Sequence, residues 1–82
     1  MARGTPLKVQ NAVVDALIAR RRKLNLSHEK LAAIAGITRP AISHIENRKR
    51  NPTLLICLKL AQALGCPLGE ILNKAEKSAD KS

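Results

Sequence analysis

Apolar residues recur along this chain at three- and four-residue steps, in blocks separated by short polar or glycine-containing breaks. In the first block Val13, Val14, Leu17, Ile18, Arg21 and Leu24 fall near one face of a 3.6-residue period, which predicts a helix from about Lys8 to Leu24. Asn25 is suited to end it, because asparagine tolerates the left-handed conformation. Leu26 is expected to dock inward. Ser27 then offers an N-cap, and Glu29 lies favourably near the positive end of the following helix dipole. Leu31, Ala32, Ile34 and Ala35 form the apolar face of that second helix, which Gly36 stops. At about nine residues it needs neighbours to persist in water.

Ile37 points back to the core and Thr38 caps a third helix. Counting from that cap places Arg39 first and Pro40 second. The first turn has no intrahelical acceptors for its amides, so the missing N–H of Pro40 costs little there. Proline also biases Arg39 toward extended geometry, so a start at Pro40 is the alternative. In both cases Ile42 and Ile45 share one side. Asn47 ends this helix and Arg48-Lys49-Arg50-Asn51-Pro52 forms a basic turn. Thr53 caps a fourth helix that runs through Leu64 to Gly65, and a fifth spans Pro67 to about Ala75. Residues 1–7 read as a basic flexible lead, 8–77 as one domain and 78–82 as a frayed tail. Five helices with short connections predict an all-α orthogonal bundle.

Composition narrows what such a bundle does. With 82 residues the chain makes one small domain, whose core is marginal for a monomer and gains from dimerisation. Aromatic residues are absent, which removes the stacking platforms of single-strand and RNA-recognition modules. Fifteen Lys and Arg against six Asp and Glu give a formal charge of +9, which favours a polyanionic partner or an anionic surface. Cys57 and Cys66 sit among apolar neighbours without a CxxC spacing and read as reduced core residues. No apolar run reaches the roughly 18 residues of a membrane span, and the first residues lack the apolar core of a signal peptide, so a cytoplasmic location is expected. No acid/base set, nucleophile constellation or phosphate loop is present, which leaves an enzyme the least supported class. Neither a cofactor nor a metal site is expected: His28 and His44 are sixteen residues apart with no acidic or cysteine cluster near them.

The most specific pattern runs from His28 to Asn47. Leu31, Ala35, Ile37, Ile42 and Ile45 are apolar pins, Ala32 is small where two helices cross, and Gly36 is the turn residue. This spacing sets two helices against one core and leaves Arg39, Pro40, Ser43 and His44 outward. A helix-turn-helix docks its second helix in the major groove of DNA.

Leu26-Ser27-His28-Glu29-Lys30-Leu31-Ala32, Ala35-Gly36-Ile37-Thr38 and Ile42-Ser43-His44-Ile45-Glu46-Asn47 resemble the Cro/C1 repressor-type helix-turn-helix family, a lambda-repressor-like DNA-binding fold. The likeness continues through Arg50-Asn51-Pro52-Thr53 and Leu60-Ala61-Gln62-Ala63-Leu64-Gly65, and covers about Val13 to Leu72. Within the family the chain is similar to small standalone regulators: restriction-modification controllers, single-domain phage-type repressors and antitoxin-like autoregulators.

The resemblance implies roles. Arg39, Ser43 and His44 align with residues that meet base edges, Arg39 being able to bond guanine bidentately. Pro40, where the family more often has a polar residue, offers contact to a thymine methyl or only shapes the helix start. His28 stands where the family usually has glutamine and is expected to contact phosphate. Ser27 and Thr38 at the helix starts, and Arg48, Lys49 and Arg50 after the recognition helix, are the other phosphate-binding candidates. Arg21 is implied to pair with Glu46, pinning helix one to helix three.

Helix four is more apolar than one buried stripe needs. Cys57, Leu60, Ala61 and Leu64 suffice for the core, so Leu54, Leu55 and Leu58, with Leu68, Ile71 and Leu72, are candidates for a dimer interface; the other possibility is that all are internal. The function this supports is a sequence-specific regulator that binds an inverted-repeat operator as a homodimer through helix 39–47. It would repress by blocking polymerase or activate by touching it. The alternative is an antitoxin-like interaction module with a toxin partner on the helix-four surface. A third reading, a protein that binds membranes or nucleic acids only through charge, predicts equal binding to unrelated polyanions. Partners are thus double-stranded DNA, a second copy, and RNA polymerase or a toxin, with no membrane, in a bacterial or phage-encoded, nucleoid-associated setting.

Overall fold

The computed structural model describes residues 5–80 and contains α1 (Pro6–Lys23), α2 (His28–Ala35), α3 (Arg39–Glu46), α4 (Leu54–Ala63) and α5 (Leu68–Asp80). The first four helices start alike. Thr5, Ser27, Thr38 and Thr53 are extended caps whose hydroxyls accept from the amides of Lys8, Lys30, Ala41 and Ile56, three residues on, at 3.1–3.2 Å. Each cap satisfies one amide of the otherwise unpaired first turn.

The four connections also share a device: each contains one residue in the left-handed region, Asn25 (φ 56°), Gly36 (φ 71°), Arg48 (φ 60°) and Gly65 (φ 71°). After α1, Asn25 N donates to Arg22 O and Leu26 N to Arg21 O, closing the last turn in a Schellman arrangement; Gly65 and Cys66 do the same after α4. Asn25 therefore has the role its residue type predicts. Arg48 in such a position has no signal in its residue type.

α5 lies along α1, α2 crosses both α3 and α4, and the chain turns by 112° between α4 and α5. The shared core is built from Val13 and Leu17 of α1, Leu31 and Ala32 of α2, Ile42 of α3, Leu60 and Ala61 of α4, then Leu64, and Leu68, Ile71 and Ala75 of α5. Ile42 and Leu64 are the most deeply enclosed large side chains. Among the described residues no polar or charged residue is fully buried. No single described helix is long and apolar enough to cross a membrane.

Several expected details differ. α1 begins at Pro6, not near Lys8, because Thr5 caps it and proline is pre-set for the first helical position. α5 runs on to Asp80 instead of stopping near Ala75: Ile71, Ala75 and Ala79 continue one buried stripe at four-residue steps, and alanine is the strongest helix former. Residues 1–4 of the expected lead and 81–82 of the expected tail lie outside the described residues. Ile34 is 58% exposed, since it sits roughly 100° around α2 from the face set by Leu31, Ala32 and Ala35. Leu24, the cap residue of α1, is exposed as well. Cys57 is half-buried at the core edge, and both cysteines are free thiols.

Candidate nucleic-acid interface

α3 is short, and its placement rests on two side chains. Ile42 and Ile45 are buried at 1% and 4% exposure and hold its inner face. Its outer face carries Arg39, Pro40 and His44, all exposed, with Ser43 half-buried between them. Asn47 Nδ2 donates to Ser43 Oγ at 3.4 Å, so the serine has a local partner. The helix begins at Arg39, with Pro40 second. Thr38 Oγ1 takes the Ala41 amide and Pro40 has none, while the Arg39 amide has no acceptor within the helix.

A three-residue ionic cluster ties α3 to the elements beneath it. Arg21, in the last turn of α1, donates Nε to Glu46 Oε2 at 2.8 Å and Nη2 to Glu46 Oε1 at 2.9 Å. Its Nη1 donates to Leu26 O at 2.9 Å, so the same guanidinium also fixes the α1–α2 connection. Both charged side chains are nearly enclosed, at 12% and 13% exposure. The expected Arg21–Glu46 pair is thus present with bidentate geometry. Burial works to raise the Glu46 carboxyl, but hydrogen bonds and charge from Arg21 and His28 outweigh it and hold the group below its ordinary value of 4.5.

His28 is the third member, and here the geometry departs from a ring free to face phosphate. His28 Nε2 lies 3.0 Å from Glu46 Oε1. One nitrogen is therefore committed to the cluster, which links the first residue of α2 to the last residue of α3. Two isolated positions eighteen residues apart carry no local sign of this pairing.

The basic residues divide in the same way. Arg48 follows the cap of α3, with Lys49 N donating to His44 O at 2.8 Å and Arg48 N to Ile45 O at 3.2 Å. Its Nη2 donates to Asp15 Oδ1 of α1 at 2.6 Å. Arg48 thus has an intramolecular carboxylate partner, whereas Lys49 and Arg50 are exposed with no ion pair among the described residues. Asp15 carries no sequence sign of this pairing, being only a polar residue on an exposed helix face. The last turn of α1 carries further basic residues: Arg20 Nε donates to Leu64 O at 3.2 Å and closes the C-terminal end of α4, while Arg22 and Lys23 remain exposed. Ser27 and Thr38 act as caps at exposed helix starts.

An apolar surface lies elsewhere. Leu54, Leu55 and Leu58 on α4 are 66%, 60% and 39% exposed. A groove of about 430 Å³, bounded by Pro6, Val9, Pro52, Leu54, Cys57 and Leu72, adjoins them. Leu68 and Ile71, grouped with this surface by sequence, instead belong to the interior: they lie on the side of α5 turned to the core. Leu72 is half-buried at the edge. Among the described residues no group of three His, Cys, Asp or Glu side chains is arranged to hold a metal ion.

Comparison with known proteins agrees with this geometry. The helix-turn-helix family profile matches residues 17–71. Control protein C.MunI of Mycoplasma sp is 40% identical over 58 residues, which cover 71% of the chain and 78% of that protein. Control protein C.SmaI of Serratia marcescens is 31% identical over 68 residues, 83% of the chain and 81% of the relative. An uncharacterized HTH-type transcriptional regulator of Haemophilus influenzae is 37% identical over 54 residues; these cover 66% of the chain and only 55% of that longer protein.

Proposed function

Because the chain belongs to the helix-turn-helix family, whose relatives here include control proteins and HTH-type transcriptional regulators, we propose that it is a sequence-specific regulator that binds an inverted-repeat DNA operator as a homodimer. The observation that carries this reading is the two-sided α3. Its inner face is clamped by Ile42, Ile45 and Glu46, and its outer face presents Arg39, Pro40, Ser43 and His44.

In this reading α3 enters the major groove, which admits one helix. Arg39 reads guanine through its two donors, Ser43 and His44 supply further polar contacts, and Pro40 packs on a thymine methyl. Ser27, His28, Thr38, Lys49 and Arg50 meet phosphates. Arg48 joins them either by keeping Asp15 as its support or by exchanging it for phosphate. Phosphate contacts fix register and affinity; base contacts set the sequence. The formal charge of +9 agrees with such a partner.

One copy reads only a few bases, whereas two copies on a twofold axis read half-sites about 34 Å apart. The exposed Leu54, Leu55 and Leu58 favour a second copy seated on α4, since an apolar patch of this kind marks an interface. Contact with RNA polymerase, or with a toxin on the same α4 surface, is the alternative use of that face.

Selection of bound duplexes from a random pool tests the reading. Enrichment of one short inverted repeat is expected, with the protein eluting as a dimer. Recovery of sequences no tighter in binding than random duplex would sink it.

A further inference from the structure

The turn after α3 is tied to α1 at both of its ends. At its start Arg48 Nη2 donates to Asp15 Oδ1 at 2.6 Å, and at its end Gln10 Nε2 donates to Asn51 Oδ1 at 3.0 Å. Between the two ties stand Lys49 and Arg50, exposed and without an ion pair among the described residues. A groove of about 300 Å³ lies between the turn and α1, bounded by Asn11 and Val14 on the helix and by Arg48, Arg50 and Asn51 on the turn. Packing beneath the turn is therefore incomplete, and the two side-chain bonds span the gap.

Arg48 also stands in the left-handed region (φ 60°), which glycine adopts freely and a long side chain does not. Gly36 and Gly65 serve two other connections in that conformation. The arginine thus adds something the backbone does not require, and its charge is placed on Asp15. Both partners are well exposed, at 41% and 63%, and a pair of that kind adds little to the stability of the fold.

Resting on the DNA-binding reading above, we propose that Asp15 and Gln10 are positioning residues: from α1 they hold the two ends of the turn 48–51, so that Lys49 and Arg50 are already in place when they meet phosphate. Arg48 keeps Asp15 when DNA is bound and does not exchange it for phosphate. Long side chains bind at lower entropic cost when the backbone that carries them is fixed beforehand. Gln10 and Asp15 are separated by about 7.5 Å along α1 and roughly 140° around it, with Asn11 and Val14 between them, so the turn is braced across the helix. The brace gives an effect whose sign charge alone does not. Removing Asp15 removes a negative charge, which by itself favours a polyanion. Losing the brace opposes binding.

The test uses the full chain and the duplex obtained by selection, at fixed salt and pH. Asp15→Ala should weaken binding roughly two- to tenfold although it makes the protein more positive. Gln10→Ala should weaken it in the same direction. Asp15→Glu, which returns a carboxylate to the site, should restore most of what Asp15→Ala loses. Glu70→Ala makes the same charge change at an exposed position of α5 and should not weaken binding. Without DNA, the Lys49 amide, which donates to His44 O at 2.8 Å, should exchange its hydrogen faster in Asp15→Ala than in the wild type, with the denaturation midpoint nearly unchanged. Tighter or unchanged binding in Asp15→Ala or Gln10→Ala, no rescue by Asp15→Glu, an equal loss in Glu70→Ala, unchanged exchange at Lys49, or a midpoint that falls in step with affinity would each overturn the proposal. A selection that enriches nothing would instead remove the DNA-binding reading, and the exchange measurement would still decide whether the brace orders the turn.

Discussion

Arg21 and Glu46 are joined by two parallel hydrogen bonds, at 2.8 and 2.9 Å, across a gap of twenty-five residues. The pair fastens the end of α1 to the end of α3, and Arg21 also holds Leu26 O in the connection between α1 and α2. One side chain thus sets where α3 stands relative to the two elements before it.

Glu46→Ala should destabilise the fold by about 2–4 kcal/mol at neutral pH, because it leaves the Arg21 guanidinium nearly enclosed without its acceptor. The acid dependence has a definite sign. A depressed carboxylate contributes its stability in full above its ordinary value of 4.5, and loses it as pH falls through its lower folded value. Urea denaturation of the wild type and Glu46→Gln at pH 7 and below pH 4.5 checks this. Glu46→Gln should lose less stability on acidification than the wild type, and equal losses would remove the linkage.

Ile42→Ala should cost about 2–5 kcal/mol, combining lost burial with the cavity left between α3 and the core. Ile34→Ala should cost under about 1 kcal/mol, because that side chain is already mostly in water. Comparison of denaturation midpoints is decisive: similar losses would contradict the placement of the two residues.

Arg39→Ala and Lys49→Ala should separate reading from gripping. The first should lose roughly 1–3 kcal/mol of discrimination at particular bases. The second should weaken all duplexes alike and lower the salt slope by about one. Binding to the selected site and to single-base variants at several salt concentrations distinguishes the two. Equal effects on specificity would refute the division.

Leu55→Glu should abolish dimerisation while leaving the monomer folded, since this side chain is 60% exposed and outside the core. Sedimentation measures the mass, and circular dichroism the helix content. A folded variant that remains dimeric moves the interface off α4.

Much of the architecture was legible because it is encoded locally. Thr38 and Gly36 mark helix boundaries by their own chemistry, and Ile42 and Ile45 mark a buried face by spacing alone. The outward residues of α3 follow from the same periodicity. What stayed hidden depends on residues meeting across the fold. His28 against Glu46 and Arg48 against Asp15 are pairings of polar side chains eighteen and thirty-three positions apart, and no periodic pattern announces them. The extension of α5 is hard to read for a different reason: Ala75 and Ala79 are apolar enough to continue a stripe, yet small enough to pass for a tail. For Leu68 and Ile71 the sequence leaves both an interface and an interior position open, because six apolar positions on two helices exceed what either needs and spacing does not say which side faces in.

α1 and α5, the first and last helices described, lie against each other, and Val13, Leu17, Ile71 and Ala75 share one core. During synthesis on the ribosome, α1 to α4 emerge before the surface that closes over them. α3 then exists as a segment before it is held in place: α1 anchors it through Arg21, and α1 lacks its cover until α5 has left the exit tunnel. A nascent chain gains this packed shape only once α5 has emerged, and a message broken within α5 yields a product with an open core.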